Sequence, residues 1–595
     1  MNPNSTQDIA VIGGGPAALL FLKHIVNSSF LPKNIYIFER NNRLGVGMPY
    51  GKYGSCNEHV ANVSANELPE LADSFENFIR RNPSKIFNDF KDAENINPYL
   101  VIPRLLLGDY LEDQFNQFLS IAEEKGINIV VKKETAVKDI IPNVNSGKQF
   151  KIITENNVDN EDFSADRVII CTGHVWRKKH EETVKGWYDS PYPPSKFKDS
   201  TNFPIAVRGT SLTAIDSVKT LARLNGKFSE DGDQLIYELD RSSKNFRLDL
   251  FSKGGFLPAL RFHSEDDSYS LKWAMSLQEI ANYKEKHEGF VDLDYVFEIN
   301  FKLPLKEKDP EFYESIKNLS IEKFVEKMMG LREKADTFDL FEAEYYEAEK
   351  SITRKKSITW KEKLAAFSYA MNYPAKHFSA EDMLRLKSTL MPLITIIIAS
   401  LPQSSYKEMM ALHKAGLVTL IEVDEESTVE PNIQGGADYL YADKDGNQVK
   451  KHYEMFVDSI GQQQMNPEDL PFKSLLNENL VSAAYLRFKN QQKGEELYIN
   501  ENQKVIKSSD QQNYYLNVPG LNINDYFQSL DVYNQSIDGL YIMAVPFIGG
   551  LNPDYSGLDF CDTAAERIVL ALSRSEFPTI KTENQDLKQE EKQIL

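Results

Sequence analysis

Residues 8–29 read DIAVIGGGPAALLFLKHIVNSS, and this stretch decides the fold. The β-branched run Ile9–Ile12 predicts a strand, the three glycines a turn, and the apolar positions beyond them a helix ending near Asn27. Gly13-x-Gly15-x-x-Ala18 is the spacing that a pyrophosphate requires. Gly13 permits the tight turn, Gly15 lets the backbone approach the phosphates, and small Ala18 lets the helix pack on the sheet, its N-terminal N–H groups facing the anion. The next strand, NIYIFER at 34–40, carries Glu39 near its end, where a carboxylate accepts hydrogen bonds from an adenosine ribose. A carboxylate there disfavours a 2′-phosphate, so the expected occupant is FAD or NAD.

Working outward, residues 205–224 read IAVRGTSLTAIDSVKTLARL. They share with the first unit the strand start, the first glycine, the alanine five residues after it and the closing lysine. Two readings compete. Gly209-x-Ser211-x-x-Ala214 is a dinucleotide turn whose second glycine has become serine, whereas Gly209-x-Ser211-x-Thr213 is close to the elbow of a serine hydrolase. β-Branched Thr213 fits a helix start better than a strained elbow. Thr210 or Ser211 can cap, Leu212, Ile215, Val218 and Ala222 form one apolar face, and Asn225-Gly226 ends the helix. Gly209, Ser211, Leu212, Thr213 and Lys253 are then candidate nucleotide contacts. The strand FRLDLFSKGG ends in Ser252-Lys253 in place of an acid, which favours NADP, and the Ser211 side chain stands where the pyrophosphate would approach. The question becomes whether Ser211 marks a working NADPH site or a retired one.

A chain of 595 residues predicts two or three domains. Segment 126–141 reads as paired strands, RVIICTG from Arg167 as an apolar strand, and SPYPPSKFKDSTNFP as a crossover between domains. From about 262 to 390 glycine becomes sparse and apolar residues recur at helical spacing; Phe338, Phe341, Tyr345 and Tyr346 read there as helix packing. LVTLIEV and KHYEMFVDSIG read as returning strands. The expected architecture is α/β: two Rossmann-like dinucleotide-binding modules with a helical insertion. The FAD module is expected over 8–175 plus 455–575, the NAD(P)-like module over 176–261 plus 391–454, the insertion over 262–390 and a disordered tail over 576–595.

The formal charge of −20 and the lack of a basic patch argue against nucleic acid and anionic membranes as partners. The longest apolar run, LMPLITIIIASL at 390–401, is too short to span a bilayer, and no secretory leader is evident, so the cytoplasm is the expected location. Cys56, Cys171 and Cys561 form no CxxC pair, which removes a dithiol redox centre. The nine histidines show no metal-ligand spacing, and no metal is expected.

ERNNRLGVGMPYG, EHVANVSANEL, IPRLLLGDYLEDQF, VIICTGHVW, SPYPPSKF and GTSLTAIDSV occur in an order and context that resembles the bacterial FAD-NAD(P)-binding flavoprotein family, which includes urate hydroxylase-like proteins and is related to flavin-dependent N-hydroxylases. The resemblance covers about 8–260 and, more loosely, 390–575. It implies that Gly13, Gly15, Pro16, Ala17, Glu39 and Arg40 hold the ADP half of FAD. Gly47, Met48, Pro49 and Tyr50 match the stretch along the flavin, and Asn62, Val63 and Ser64 the segment near the isoalloxazine. Arg104 and Tyr110 match a family motif, and Thr172, Gly173 and His174 the crossing after the third core strand; Arg104, Thr172 and Gly173 are thereby implied as further cofactor contacts. Gly549, Gly550, Leu551 and Asn552 would lie against the pyrimidine end, with the last helix aimed at O2. Glu67-Leu68 departs from the family, as does the lack of an aspartate after GLYIMA.

What the resemblance implies in function is an NAD(P)H-dependent FAD monooxygenase acting on a small organic substrate with molecular oxygen. Alternatives are a flavin oxidase, dehydrogenase or partner subunit with a degenerate nicotinamide site and, remotely, a serine hydrolase using Ser211. After Gly173 and His174 the chain reads VWRKKH, which breaks the Baeyer–Villiger fingerprint. Tyr50 and His174 are the candidates nearest the reacting centre.

Overall fold

A computed structural model describes residues 7–83, 99, 101–143, 147–156, 161–232, 234–265, 274–500, 504–508, 512–554 and 557–574. The expected tail at 576–595 lies outside them. The Asp8–Ile12 strand is central in a six-stranded sheet, flanked in parallel by Asn34–Phe38 and Arg167–Ile170. Asn128–Lys132 extends one side, and Ser536–Ile542 with antiparallel Gln528–Leu530 the other. All five residues of the central strand are buried, Ile9–Ile12 as apolar residues in a sheet covered on both faces must be and Asp8 paired with Lys148 at 2.8 Å. The Pro16–Asn27 helix packs on it, tied to the closing helix Leu558–Arg574 by Lys23 Nζ and His24 Nε2, each 2.8 Å from Asp562 Oδ1.

A second, wholly parallel sheet runs Trp187–Tyr188, Met455–Asp458, Pro204–Arg208, Arg247–Lys253, Val418–Val423. Its Leu212–Asn225 helix is buried all round from Ala214 to Ala222, polar Asp216, Ser217, Lys219 and Thr220 included, because its far side presses on the first module. Two nucleotide-binding-type modules and a helical segment are thus the architecture, as expected.

Three boundaries move. Met455–Asp458 pairs with Ile205–Arg208, so it belongs to the second sheet and not to the first module. The helical segment does not end at 390: helix Met391–Ile398 carries the apolar run, and Leu401 returns the chain beside Ala259 and Leu260. The strands read as a pair in 126–141 separate, Asn128–Lys132 joining the main sheet and Thr135–Pro142 pairing with Phe150–Asn156.

The helices between Leu277 and Ile398 are no detached cap. Phe297, Phe301, Phe324, Leu364 and Phe367 continue the core that contains Ile9 and Val11. Helix Thr337–Arg354 turns the other way: Phe338 stacks on His413 at 3.6 Å and Tyr345 on Tyr406 at 3.9 Å, against the Gln403–Lys414 helix of the second module. Phe341 joins that packing, while Tyr346, 63% exposed, meets the Tyr345 ring edge-on at 5.8 Å. Among the described residues no helix is long and apolar enough to cross a membrane.

Candidate functional site

The two glycine turns share one geometry at their first glycine. Gly13 has φ +106° and its N–H donates to Phe38 O at 2.9 Å; a Cβ would lie 2.8 Å from Cys171 O. Gly209 has φ +115° and donates to Phe251 O at 2.7 Å; a Cβ would lie 2.8 Å from Ser459 O. Both positions therefore require glycine for conformation and for space. The second motif position behaves differently: Gly15 has φ −83° and Ser211 φ −84°, a conformation open to any residue. Gly15 is small because a Cβ would meet Gly47 Cα at 3.3 Å. Ser211 thus occupies its turn without backbone strain. Neither helix receives a side-chain cap, which leaves the first-turn N–H groups for an anion. Thr210 does not cap either; its hydroxyl donates to Phe256 O at 2.7 Å.

The modules differ where the second strand ends. In the first, buried Glu39 accepts from Gly14 N at 2.9 Å and Asn41 N at 2.8 Å, spanning the turn. Beyond it Arg40, Asn41, Asn42, Tyr53, Glu134 and Ala136 line an open recess of about 410 Å³. In the second, the equivalent of Phe38 is Phe251, so the equivalent of Glu39 is Ser252, whose buried Oγ has no hydrogen-bond partner among the described residues. Lys253 is exposed and pairs with Glu425 at 3.0 Å.

Further along the first module, Gly47 turns at φ +54°, and the chain 48–54 folds so tightly that a Cβ on Gly54 would strike Met48 and one on Gly108 the Tyr50 carbonyl. Pro49 O accepts from Ser55 Oγ at 2.6 Å. Burial pushes the Tyr50 phenol up to about 12 despite the nearby Arg104 charge, so it is a hydrogen-bond donor and no base at neutral pH. Burial also lowers the His174 pKa against a hydrogen bond to Gln462, which keeps the imidazole neutral. Three buried atoms here have no partner among the described residues: Thr172 Oγ1 beside Gly173, His174 Nδ1 and Asn552 Oδ1. Such orphans are costly unless a bound group satisfies them. They sit on two of the segments expected along FAD, and with the glycine cradle and Glu39 the residues fit that group.

Arg104 is placed otherwise than the motif implied. Its Nη1 lies 2.6 Å from Asp216 Oδ2 on the helix of the second module and its Nε donates to Val60 O at 2.9 Å. Tyr192 also donates to Asp216 Oδ2, at 2.6 Å, and His59 Nε2 lies 3.1 Å from Thr220 Oγ1. Arg104 locks modules together. Tyr110 likewise spends its hydroxyl on Asp73 O at 2.7 Å. Cys56, Glu58 and His59 cluster within 4.8 Å. Cys56 Sγ is 3.7 and 3.5 Å from the two His59 ring nitrogens, and Thr220 hydrogen-bonds His59 and Glu58.

A cavity of about 110 Å³ lies where the first module, the exit of the second and the helical segment meet, lined by Asn62, Val63, Arg261, Glu362, Tyr369 and Asp554 among others. Asn62 and Val63 come from strand Val60–Ser64, whose Ser64 N donates to Glu67 Oε2 at 2.9 Å. Arg261 donates to Asn62 O and to Glu67, which gives the unusual Glu67 its role. Burial pushes the Asp554 carboxyl up to about 6, against a hydrogen bond from Ser368. Sequence reasoning missed Arg261, Glu362, Tyr369 and Asp554. The one available signal was Asp554, the first acid after Gly549-Gly550. Gly550 packs on Pro519 O, Gly549 O accepts from Gln464 at 3.3 Å, and Leu551 and Asn552 are buried. No histidine hydrogen-bonds Ser211 among the described residues.

Residues 10–175 match the family described as FAD-NAD(P)-binding, and residues 276–398 the YdhS-like middle domain. The resemblance expected from the motifs holds over the first of these. A curated relative, YdhS of Escherichia coli (strain K12), is 25% identical over 477 residues, 79% of this chain and 86% of that protein. Among solved structures, an ornithine N-hydroxylase of Kutzneria sp. 744 is 12% identical with a TM-score of 0.47, covering 96% of this chain and 100% of the other. DfoA of Erwinia amylovora, a cadaverine monooxygenase solved with FAD, is 12% identical, with a TM-score of 0.43 and 97% of each chain covered. The bacillithiol disulfide reductase Bdr of Staphylococcus aureus is 10% identical, with a TM-score of 0.40, 97% of this chain and 100% of the other being covered.

Proposed function

We propose that this chain, which carries an FAD-NAD(P)-binding domain at residues 10–175, is an FAD-dependent oxidoreductase that takes electrons from NADPH and hydroxylates a small organic molecule with molecular oxygen. The observation that carries the reading is the pair of matching glycine turns with unlike strand ends: Glu39 for the ribose of FAD, Ser252 and Lys253 for a 2′-phosphate. Ser211 in an unstrained turn supports a working second site over a retired one.

When bound, FAD supplies the redox chemistry. The chain supplies the rest. The Gly13–Ala17 turn, Glu39 and Arg40 would hold its ADP half, and the stretches at Gly47–Tyr50, Thr172–His174 and Gly549–Asn552 its ring. The helix beginning at Leu558 would aim its N-terminus at negative charge on the ring. Tyr50, a protonated phenol, and His174, a neutral imidazole, can donate or relay a proton near that ring. The junction cavity, whose lining is largely polar, would receive the substrate, with Asp554 and Glu362 among its polar contacts. All three thiols are free, and Cys171 and Cys561 are buried, which supports oxygen or an organic acceptor over a disulfide. Parallel core strands divide the chain, on this reading, into an FAD unit at 8–175 and 459–574, a nicotinamide unit built around the second sheet, and a middle domain.

The test is anaerobic mixing of the yellow protein with NADPH and, separately, NADH. NADPH should bleach the flavin faster. Bleaching by neither would leave an oxidase or a partner subunit, and a protein that cannot be loaded with FAD would sink the reading.

A further inference from the structure

The middle domain is bolted to the loop that follows Gly550. Helix Thr359–Met371 ends at Asn372, which is 0% exposed. Asn372 Nδ2 donates to Asp554 O at 2.5 Å, and Asn372 Oδ1 accepts from Asp554 N at 2.8 Å. The Asn372 carbonyl accepts from Asn552 Nδ2 at 2.9 Å. One turn earlier, Ser368 donates to Asp554 Oδ2 at 2.8 Å and the Tyr369 hydroxyl bonds Thr563 Oγ1 at 2.8 Å. Side chain and main chain of one residue therefore hold both ends of the Asn552–Asp554 stretch.

This arrangement settles which way the Asn552 amide faces. A carbonyl oxygen can only accept, so the group that Asn552 turns toward Asn372 must be its NH₂. Its Oδ1 is then forced to the other side. That oxygen is buried, on a side chain 0% exposed, and has no partner among the described residues. The site presents a lone acceptor, and what answers an acceptor is an N–H or O–H donor. The oxidised isoalloxazine ring has one ring N–H, at N3; the other heteroatoms along its pyrimidine edge accept.

We propose that Asn372 of the middle domain is a positioning residue for the cofactor, fixing the Asn552 amide so that Oδ1 receives the N3–H of bound flavin. The proposal rests on the FAD reading above and deepens it: the middle domain helps to hold the cofactor and is no mobile lid. Asn372 has no contact with the ring itself; it acts through Asn552.

The experiment compares FAD with N3-methyl-FAD, which lacks the donor, on the full-length apoprotein by fluorescence quenching. Wild type should bind FAD at least tenfold tighter. In Asn552→Leu, which keeps the bulk and loses the acceptor, the ratio should collapse toward one; a ratio that persists would mean that the methyl group is merely excluded by size and would overturn the proposal. Asn372→Ser keeps the main-chain carbonyl to which Asn552 donates and loses the side-chain clasp on Asp554, so by releasing the loop it should reduce the ratio while melting as a folded protein; a ratio left at the wild-type value would overturn the positioning role of the Asn372 side chain. Should Asn372→Ser not fold, Asn372→Asp, which keeps the acceptor for Asp554 N, carries the same expectation. Wild type that binds both flavins equally refutes the proposal and leaves the FAD reading standing. Wild type that binds neither refutes both.

Discussion

Arg104 of the first module and Asp216 of the second meet at 2.6 Å with side chains 14% and 6% exposed, and this buried pair is the main polar lock between the two glycine modules. Burial alone would raise the Asp216 pKa, but Arg104, His59 and the Tyr192 hydroxyl more than offset it and hold the carboxyl below its ordinary range. Asp216→Asn leaves the guanidinium uncompensated, and breaking such a pair costs about 3–5 kcal/mol. The sign with pH follows from the depressed folded pKa. The carboxylate's contribution is present above the unfolded value of roughly 4 and is lost as pH falls through the folded value. Denaturant melts of wild type and variant should differ by a constant amount above pH 5, and the gap should close on acidification below about pH 4.

Alanine at the two turn glycines should separate the two nucleotides. Each new Cβ would sit 2.8 Å from a backbone carbonyl that cannot yield, at a φ that L-residues avoid. Gly13→Ala is expected to emerge without flavin, because the strain falls on the FAD cradle. Gly209→Ala is expected to stay yellow and to be bleached by NADPH at least about tenfold more slowly, a loss of about 1.4 kcal/mol. Stopped-flow absorbance of the two purified variants checks both; equal effects on colour would show that the turns are not independent sites.

The turns were legible because every requirement they express is local: a strand, a glycine, a small residue and a helix start within fifteen residues or so. The same locality let the sequence show Ser252 in place of an acid. Arg104 was read as a cofactor contact for the opposite reason. Its partner lies 112 residues away on another module, and nothing in IPRLLLGDYLEDQF says what its guanidinium will meet. Met455–Asp458 was misplaced because a buried parallel strand carries the same apolar pattern whichever sheet it joins. The junction cavity was invisible altogether, since Asn62, Arg261, Glu362 and Asp554 come from four segments that only the packed middle domain brings together.

Coenzyme preference should turn on Ser252. Glu39 accepts two backbone N–H groups across its turn, and a carboxylate at Ser252 would find the equivalent amides of Thr210 and Gly254 while repelling a 2′-phosphate. Ser252→Glu is expected to shift the ratio of kcat/KM for NADH against NADPH at least about tenfold toward NADH, or about 1.4 kcal/mol. Flavin reduction rates at a series of coenzyme concentrations measure it. An unchanged ratio would remove Ser252 from the 2′-phosphate site.

Asp554 should trade stability for its place in the cavity. Burial raises its carboxyl from an ordinary 3.8 to about 6, with Ser368 as its one opposing hydrogen bond. A carboxyl whose folded pKa is raised above its unfolded value favours folding when protonated, so its contribution is full below about pH 4 and declines as pH rises to 6. At about 1.4 kcal/mol per unit the ionised form costs about 2 kcal/mol once partial exposure to the cavity is allowed for. Asp554→Asn removes the titration and keeps a hydrogen-bonding side chain for Ser368. The variant should therefore melt within about 0.5 kcal/mol of wild type at pH 4.5 and be more stable by up to about 2 kcal/mol at pH 8. A wild type that holds its stability flat from pH 4 to 8 relative to the variant would mean that the carboxylate is paid for by a partner in the fold, and Asp554 would then lose its standing as the cavity's reserved polar contact.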